Sequence, residues 1–104
     1  MRTRTYNLRI SDDAELDLDN AFIWYEIQKN NLGIEFITTI DDSFQKIKNS
    51  PKQFPIIYKN IRRHLIKKFP YSIYFFINDA SAEINIIAVF HNSRNPILWK
   101  KRKI

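Results

Sequence analysis

At 104 residues the chain is one domain, residues 1–104, long enough for a modest core that removes roughly two-thirds of its unfolded surface from water. Hydrophobic residues at 44%, charged ones at 27% and a single glycine exclude a disordered chain. The lack of cysteine excludes disulfides and thiolate metal sites. The net charge of +6 is unevenly placed: residues 1–42 carry nine acids against four Lys/Arg, residues 43–104 thirteen Lys/Arg against two acids. A basic half of this kind points to nucleic acid or to an acidic protein partner. The N-terminal residues have no apolar core for a signal peptide and no run approaches a membrane span. A cytoplasmic protein with no membrane partner is therefore expected.

In chain order, Tyr6, Leu8 and Ile10 alternate with Asn7 and Arg9, the period-2 mark of a half-buried strand. Ser11-Asp12-Asp13-Ala14-Glu15 opens a helix, with Asp12 expected as cap and Glu15 three residues on as its capping-box partner. Ala14, Leu18, Ala21, Phe22 and Tyr25 form one apolar stripe. Leu16, Ile23 and Ile27 form another almost opposite, which calls for packing on two sides or for a partner's groove. Asn30-Asn31-Leu32-Gly33 is the expected break. A second helix carries Phe36, Ile37, Ile40, Phe44 and Ile47 on one stripe and ends near Asn49-Ser50-Pro51, giving an antiparallel hairpin. Strands are then expected at 56–59, 61–69, 71–77 and 83–90, with Asn78-Asp79-Ala80-Ser81 as a turn. The third and fourth are apolar on both parities and read as central; the second, charged on both, lies nearer an edge. The fold class is α+β: an N-terminal strand, a two-helix hairpin, then an antiparallel sheet of three to four strands.

A single glycine rules out a Gly-rich phosphate loop, and two histidines without cysteine give no metal-ligand spacing; neither cofactor nor metal is expected. What remains is a cationic rim: Arg62, Arg63, Lys67 and Lys68 on one predicted strand, with His91 and Arg94 at the end of another. Arginine grips phosphate bidentately and lysine as a point charge, while histidine exchanges protons near neutrality. Metal-free RNA cleavage needs a base, an acid and a cation beside the phosphate, roles that Arg63, His91 and Arg94 can fill together. Arg62, Lys67, Lys68, Tyr71, Lys100 and Arg102 are candidates for contact with nucleic acid or another target, Tyr71 by stacking. A histidine at a strand end is equally a solvated or capping residue, and aromatic rings in central strands are usually core. The tail 99–104 reads as basic and partly frayed, with Trp99 as its anchor.

Ile61-Arg62-Arg63, Phe69-Pro70-Tyr71-Ser72-Ile73-Tyr74 and Ile87-Ala88-Val89-Phe90-His91-Asn92-Ser93-Arg94-Asn95-Pro96, with Trp99 and Arg102, resemble the RelE/ParE superfamily. These are toxins of bacterial type II toxin–antitoxin modules, and the likeness spans essentially the whole chain. It implies a small α+β toxin that inhibits growth and is neutralised by a cognate antitoxin wrapped around it. A homodimer and a toxin–antitoxin hetero-oligomer are both compatible with it. One branch cleaves mRNA on the ribosome as a metal-independent endoribonuclease; the other inhibits DNA gyrase and is not a nuclease. The ribonuclease branch uses positions matching Arg63, His91 and Arg94. Here Asn92 follows His91, no tyrosine follows Tyr74, and the Phe69-Pro70-Tyr71 pattern with His91, Arg94 and Pro96 is closer to ParE-like members. Gyrase and ribosome both stay open as targets, as does a degenerate, non-toxic nucleic-acid-binding domain.

Overall fold

The computed structural model describes residues 5–95 and 100–102, so Pro96 and Trp99 lie outside the described residues. Strand β1 (Asn7–Ile10) leads into helix α1 (Asp12–Gln28), then α2 (Leu32–Asn49), a short 3-10 turn over Pro51–Gln53, and strands β2 (Ile56–Tyr58), β3 (Ile61–Leu65), β4 (Tyr71–Asn78) and β5 (Glu83–His91). The α+β class is as expected. The sheet, however, has five strands in the order β1-β5-β4-β3-β2, because the N-terminal strand joins it at the β5 edge. That pairing is parallel, since α1 and α2 carry the chain back across the sheet face; the other pairings are antiparallel.

Helix α1 is capped by Ser11, not Asp12: the Ser11 hydroxyl accepts the Ala14 N–H at 3.1 Å. Asp12, Asp13 and Glu15 fall in the first turn, where they complement the helix dipole without a capping box. The helical break uses Asn31, whose φ of 70° is the left-handed conformation asparagine tolerates. Gly33 is not in the break. It lies in the first turn of α2, where a Cβ would come within 2.6 Å of the Phe22 carbonyl oxygen. The only glycine in the chain thus lets two helices touch. Glu26 replaces a cap side chain, its carboxylate accepting the Gly33 N–H at 2.8 Å.

Phe36, Ile40 and Ile47 of α2 and Ala14, Ala21 and Tyr25 of α1 bury against Ile73, Phe75, Ile84, Ile86 and Val89 on one sheet face. The other face has a smaller cluster of Ile61, Tyr74, Ile87, Ala88 and Phe90. The second apolar stripe of α1 is mostly open to solvent: Leu16 is 57% exposed, Ile23 55% and Ile27 75%. Packing on two sides, one of the two expectations, is therefore not what α1 does. Its second face stays open because α2 approaches through Gly33 and Phe22 instead.

Two strand details decide where the functional side chains point. Strand β3 stops at Leu65 rather than running to Phe69. The Ile66 N–H turns back to the Tyr71 carbonyl at 3.0 Å and the Ile66 and Phe69 side chains drop into the core. Lys67 and Lys68 are therefore on a loop, not on the strand with Arg62 and Arg63. In β5, Tyr74 pairs with Ala88 but Phe75 pairs with Ile86, so Ile87 is an extra residue. This bulge shifts the alternation by one and places Val89 and His91, rather than Ala88 and Phe90, on the helix-covered face. Among the described residues no helix is long and apolar enough to cross a membrane.

Candidate target-binding site

The ends of β4 and β5 come together beside α1. Tyr71 pairs with His91 across the two strands and their rings lie 5.3 Å apart. A cavity of about 220 Å³ opens there, lined by Tyr71, His91 and Arg94 together with Asp17, Asn20 and Trp24 of α1. The loop after β5 is pinned to the sheet: the Asn92 N–H donates to the Pro70 carbonyl at 2.7 Å, and the Ser72 hydroxyl to the Asn92 side-chain oxygen at 2.6 Å. His91 Nδ1 accepts the Ser93 N–H at 3.0 Å, with the Ser93 hydroxyl 2.8 Å from the same nitrogen. In the neutral ring the proton then resides on Nε2.

Asp17 organises the cavity wall. Strand β1 ends level with Ile86, which leaves the upper edge of β5 without a neighbouring strand. The Asp17 carboxylate accepts the Val89 N–H at 3.0 Å and takes two bonds from Arg102, at 2.6 and 2.9 Å. Arg102 also donates to the Ile87 carbonyl at 2.9 Å and lies over the Phe90 ring. One ion pair, 8% and 15% exposed at its two side chains, thus stands in for a missing strand and fastens the described part of the tail. Within the tail, Arg102 is held by these bonds and the Lys100 ammonium lies 4.1 Å from the Tyr58 ring centroid, while Trp99, Lys103 and Ile104 lie outside the described residues. Arg94 stacks on Phe90 at 4.1 Å and comes within 3.9 Å of Asp17. The hydrogen bonds and charge of Asp17 hold the Arg102 guanidinium above its usual pKa, against the opposing effect of burial. Burial, with Tyr25 and Asp17 adding to it and Arg94 opposing, pushes the Tyr71 phenol up, so it is a neutral donor at physiological pH.

The structure separates the other residues singled out in the sequence. Arg63 pairs with Tyr74, whose ring packs against Phe90 on the face away from the helices, so Arg63 and His91 point to opposite faces of the sheet. Arg62 turns back into the fold and donates to the Phe54 carbonyl at 2.7 Å and to the Lys52 carbonyl at 3.1 Å. Lys67 and Lys68 line a different cavity beside α2. Of the residues singled out in the sequence, Tyr71, His91 and Arg94 share this cavity, and Lys67 and Lys68 share the one beside α2. Asp17, Asn20 and Trp24 were not picked out, although an acid at position 17, between Ala14 and Ala21 on a buried stripe, is a visible irregularity that calls for a buried partner.

The arrangement offers a neutral phenol, an imidazole, an indole and one half-exposed guanidinium beside the Asp17–Arg102 ion pair. It can hold a polar or aromatic partner surface. It does not bring two unengaged cations to one phosphate.

The model of the ParE toxin of type II toxin–antitoxin systems, parDE, matches residues 8–96. Among solved structures, one chain of the chromosomal ParDE TA system from P. aeruginosa superposes with a TM-score of 0.74 at 18% identity, covering 84% of this chain and 96% of that one. A chain of the toxin–antitoxin complex RelBE2 from Mycobacterium tuberculosis gives 0.58 at 15% identity, covering 85% and 99%. Among curated proteins no sequence matches. At such identities the structural likeness carries the fold, and the family model carries the assignment: the chain belongs to the ParE toxin family of type II toxin–antitoxin systems.

Proposed function

We propose that this toxin stops growth by binding DNA gyrase rather than by cutting RNA. The observation that supports this reading is the placement of Arg63 and His91 on opposite faces of the sheet. A side chain that must stabilise the phosphorane and one that must move its proton have to be within contact of the same phosphate. Arg94, the cation that does share the cavity with His91, stacks on Phe90 and faces the Asp17 carboxylate. Such a site recognises a surface. Micromolar protein is expected to abolish supercoiling by purified gyrase, and His91→Ala, which strips part of the cavity wall, to weaken that inhibition. Unaffected supercoiling together with cleaved message in a cell-free translation reaction would establish the ribonuclease reading in its place.

The cognate antitoxin belongs on the open face of α1. Leu16, Ile23 and Ile27 recur at helical spacing, and Trp24, 55% exposed, extends them toward the cavity. An apolar partner segment laid there covers the site's α1 wall while burying this stripe. Replacing both Ile23 and Ile27 by Asp is expected to weaken antitoxin binding about a hundredfold, given ~1.5–3 kcal/mol per buried isoleucine. Undiminished co-purification of the double variant with the antitoxin would refute this placement.

A further inference from the structure

On the opposite side of the helical hairpin, a groove of about 230 Å³ runs between α2 and the loop that joins β3 to β4. Thr39, Asp42, Ser43 and Lys46 recur at helical spacing and form its α2 wall; His64 and Ile66 form the floor, and Lys67 and Lys68 the other wall. The loop that carries the two lysines is anchored at both ends, because the residues on either side of them, Ile66 and Phe69, are both 93% buried. The loop closes on itself through the Tyr71 N–H, which donates to the Phe69 carbonyl at 2.7 Å. Among the described residues no carboxylate comes within 4.0 Å of the ammonium groups of Lys46, Lys67 or Lys68, although Asp42 shares the groove.

We propose that this groove is a phosphate-binding site, with Lys46, Lys67 and Lys68 as its cations and the Ser43–His64 pair as its polar floor. Three lysines from two elements line one cavity together with a single carboxylate, which leaves a net charge of +2 while His64 is neutral. The His64 ring is fixed by the Ser43 hydroxyl, 3.2 Å from Nε2, and by the edge of Phe54, with ring centroids 4.8 Å apart. The Thr39 hydroxyl is committed to the Glu35 carbonyl, so recognition falls to the lysines and the floor. Phosphate suits this geometry better than carboxylate. Its oxygens diverge toward cations on both walls, whereas a carboxylate offers two oxygens in one plane. The uncompensated positive potential already registers on the floor: burial, then the charge of Lys46, holds the His64 imidazole below its ordinary pKa. The site is independent of whether gyrase is the target.

The test is an NMR titration of the full-length chain with inorganic phosphate, at ionic strength held constant with chloride. Saturable shifts confined to Thr39, Ser43, His64, Ile66 and the loop are expected, with an upward displacement of the His64 titration midpoint. The triple variant Lys46→Gln, Lys67→Gln, Lys68→Gln should bind about tenfold more weakly or worse, each exposed charge contributing modestly. A short DNA duplex then separates the sources of the phosphate. Tighter saturation of the same resonances by duplex assigns the groove to a nucleic-acid backbone, and saturation by inorganic phosphate alone assigns it to a free anion. Absence of saturable shifts, shifts undiminished in the triple variant, or a poly-glutamate peptide matching phosphate site for site would each overturn the proposal.

Discussion

Two of the cavities, nearly equal in volume, lie on either side of the helical hairpin and use charge in opposite ways. Beside α1, Arg102 is consumed by the fold, doubly bonded to Asp17, and Arg94 is stacked on Phe90. Beside α2, three lysines line a groove in which no described carboxylate reaches them. The two sets come from the same basic half of the sequence, arginines in one and lysines in the other, and nothing local in that half says which of them the fold will engage. What separates them is the carboxylate at position 17 and the bare edge of β5 that it covers. A cation's role follows from its partner, and the partner is set by topology.

The comparison is broken most forcefully at Asp17. Asp17→Ala leaves the Val89 N–H without its acceptor and Arg102 as an unpaired, largely buried charge, so a loss of about 3–5 kcal/mol in unfolding free energy is expected. Equilibrium denaturation measures it, and the groove beside α2 should keep its resonance positions. A loss below about 1 kcal/mol would mean that the ion pair is not what holds the sheet edge. Arg102→Ala, and the double variant, close a cycle whose coupling isolates the pair from the backbone bond. Next in size is Gly33→Ala. A methyl group 2.6 Å from the Phe22 carbonyl oxygen cannot be accepted without splaying the hairpin, an overpacking cost of about 1–3 kcal/mol. Because α1 walls one cavity and α2 the other, this variant should perturb both, where Asp17→Ala perturbs one.

The element order was legible because it rests on long apolar periodicities: the Phe36–Ile47 stripe and the two-sided hydrophobicity of β4 and β5 are local properties of the chain. The site was less legible, for reasons that are also physical. Ile87 looks like one more core residue of a strand, yet as the extra residue of a bulge it reverses which of Phe90 and His91 faces the helices. Nothing in Arg62-Arg63-His64 reveals that Arg62 will bond to carbonyls of the chain ten and eight residues earlier, or that Arg63 will face away from His91. The loop lysines read as strand residues because the Ile66 and Phe69 anchors continue the apolar pattern. In each case the missing information is a long-range pairing. The acid at position 17 was the exception, a buried-stripe irregularity that local sequence does display.

The smallest effect gives the finest test of the contrast between the cavities. His64 has its pKa lowered from 6.5, first by burial and then by Lys46. A lowered histidine binds fewer protons folded than unfolded below that value. Its contribution to stability is therefore fully present above about pH 6.5 and is lost as the pH falls through the folded-state value. Unfolding free energies at pH 7.5 and 5.5 should differ more in the parent protein than in His64→Gln, where that slope is absent. Lys46→Gln should reduce the slope without removing it, because burial, the larger cause, remains. If Lys46→Gln left the slope unchanged, the charge of the groove would not reach its floor. If it abolished the slope, burial would be the minor cause, and the Phe54 and Ser43 packing around the ring would have to be looser than their contacts indicate.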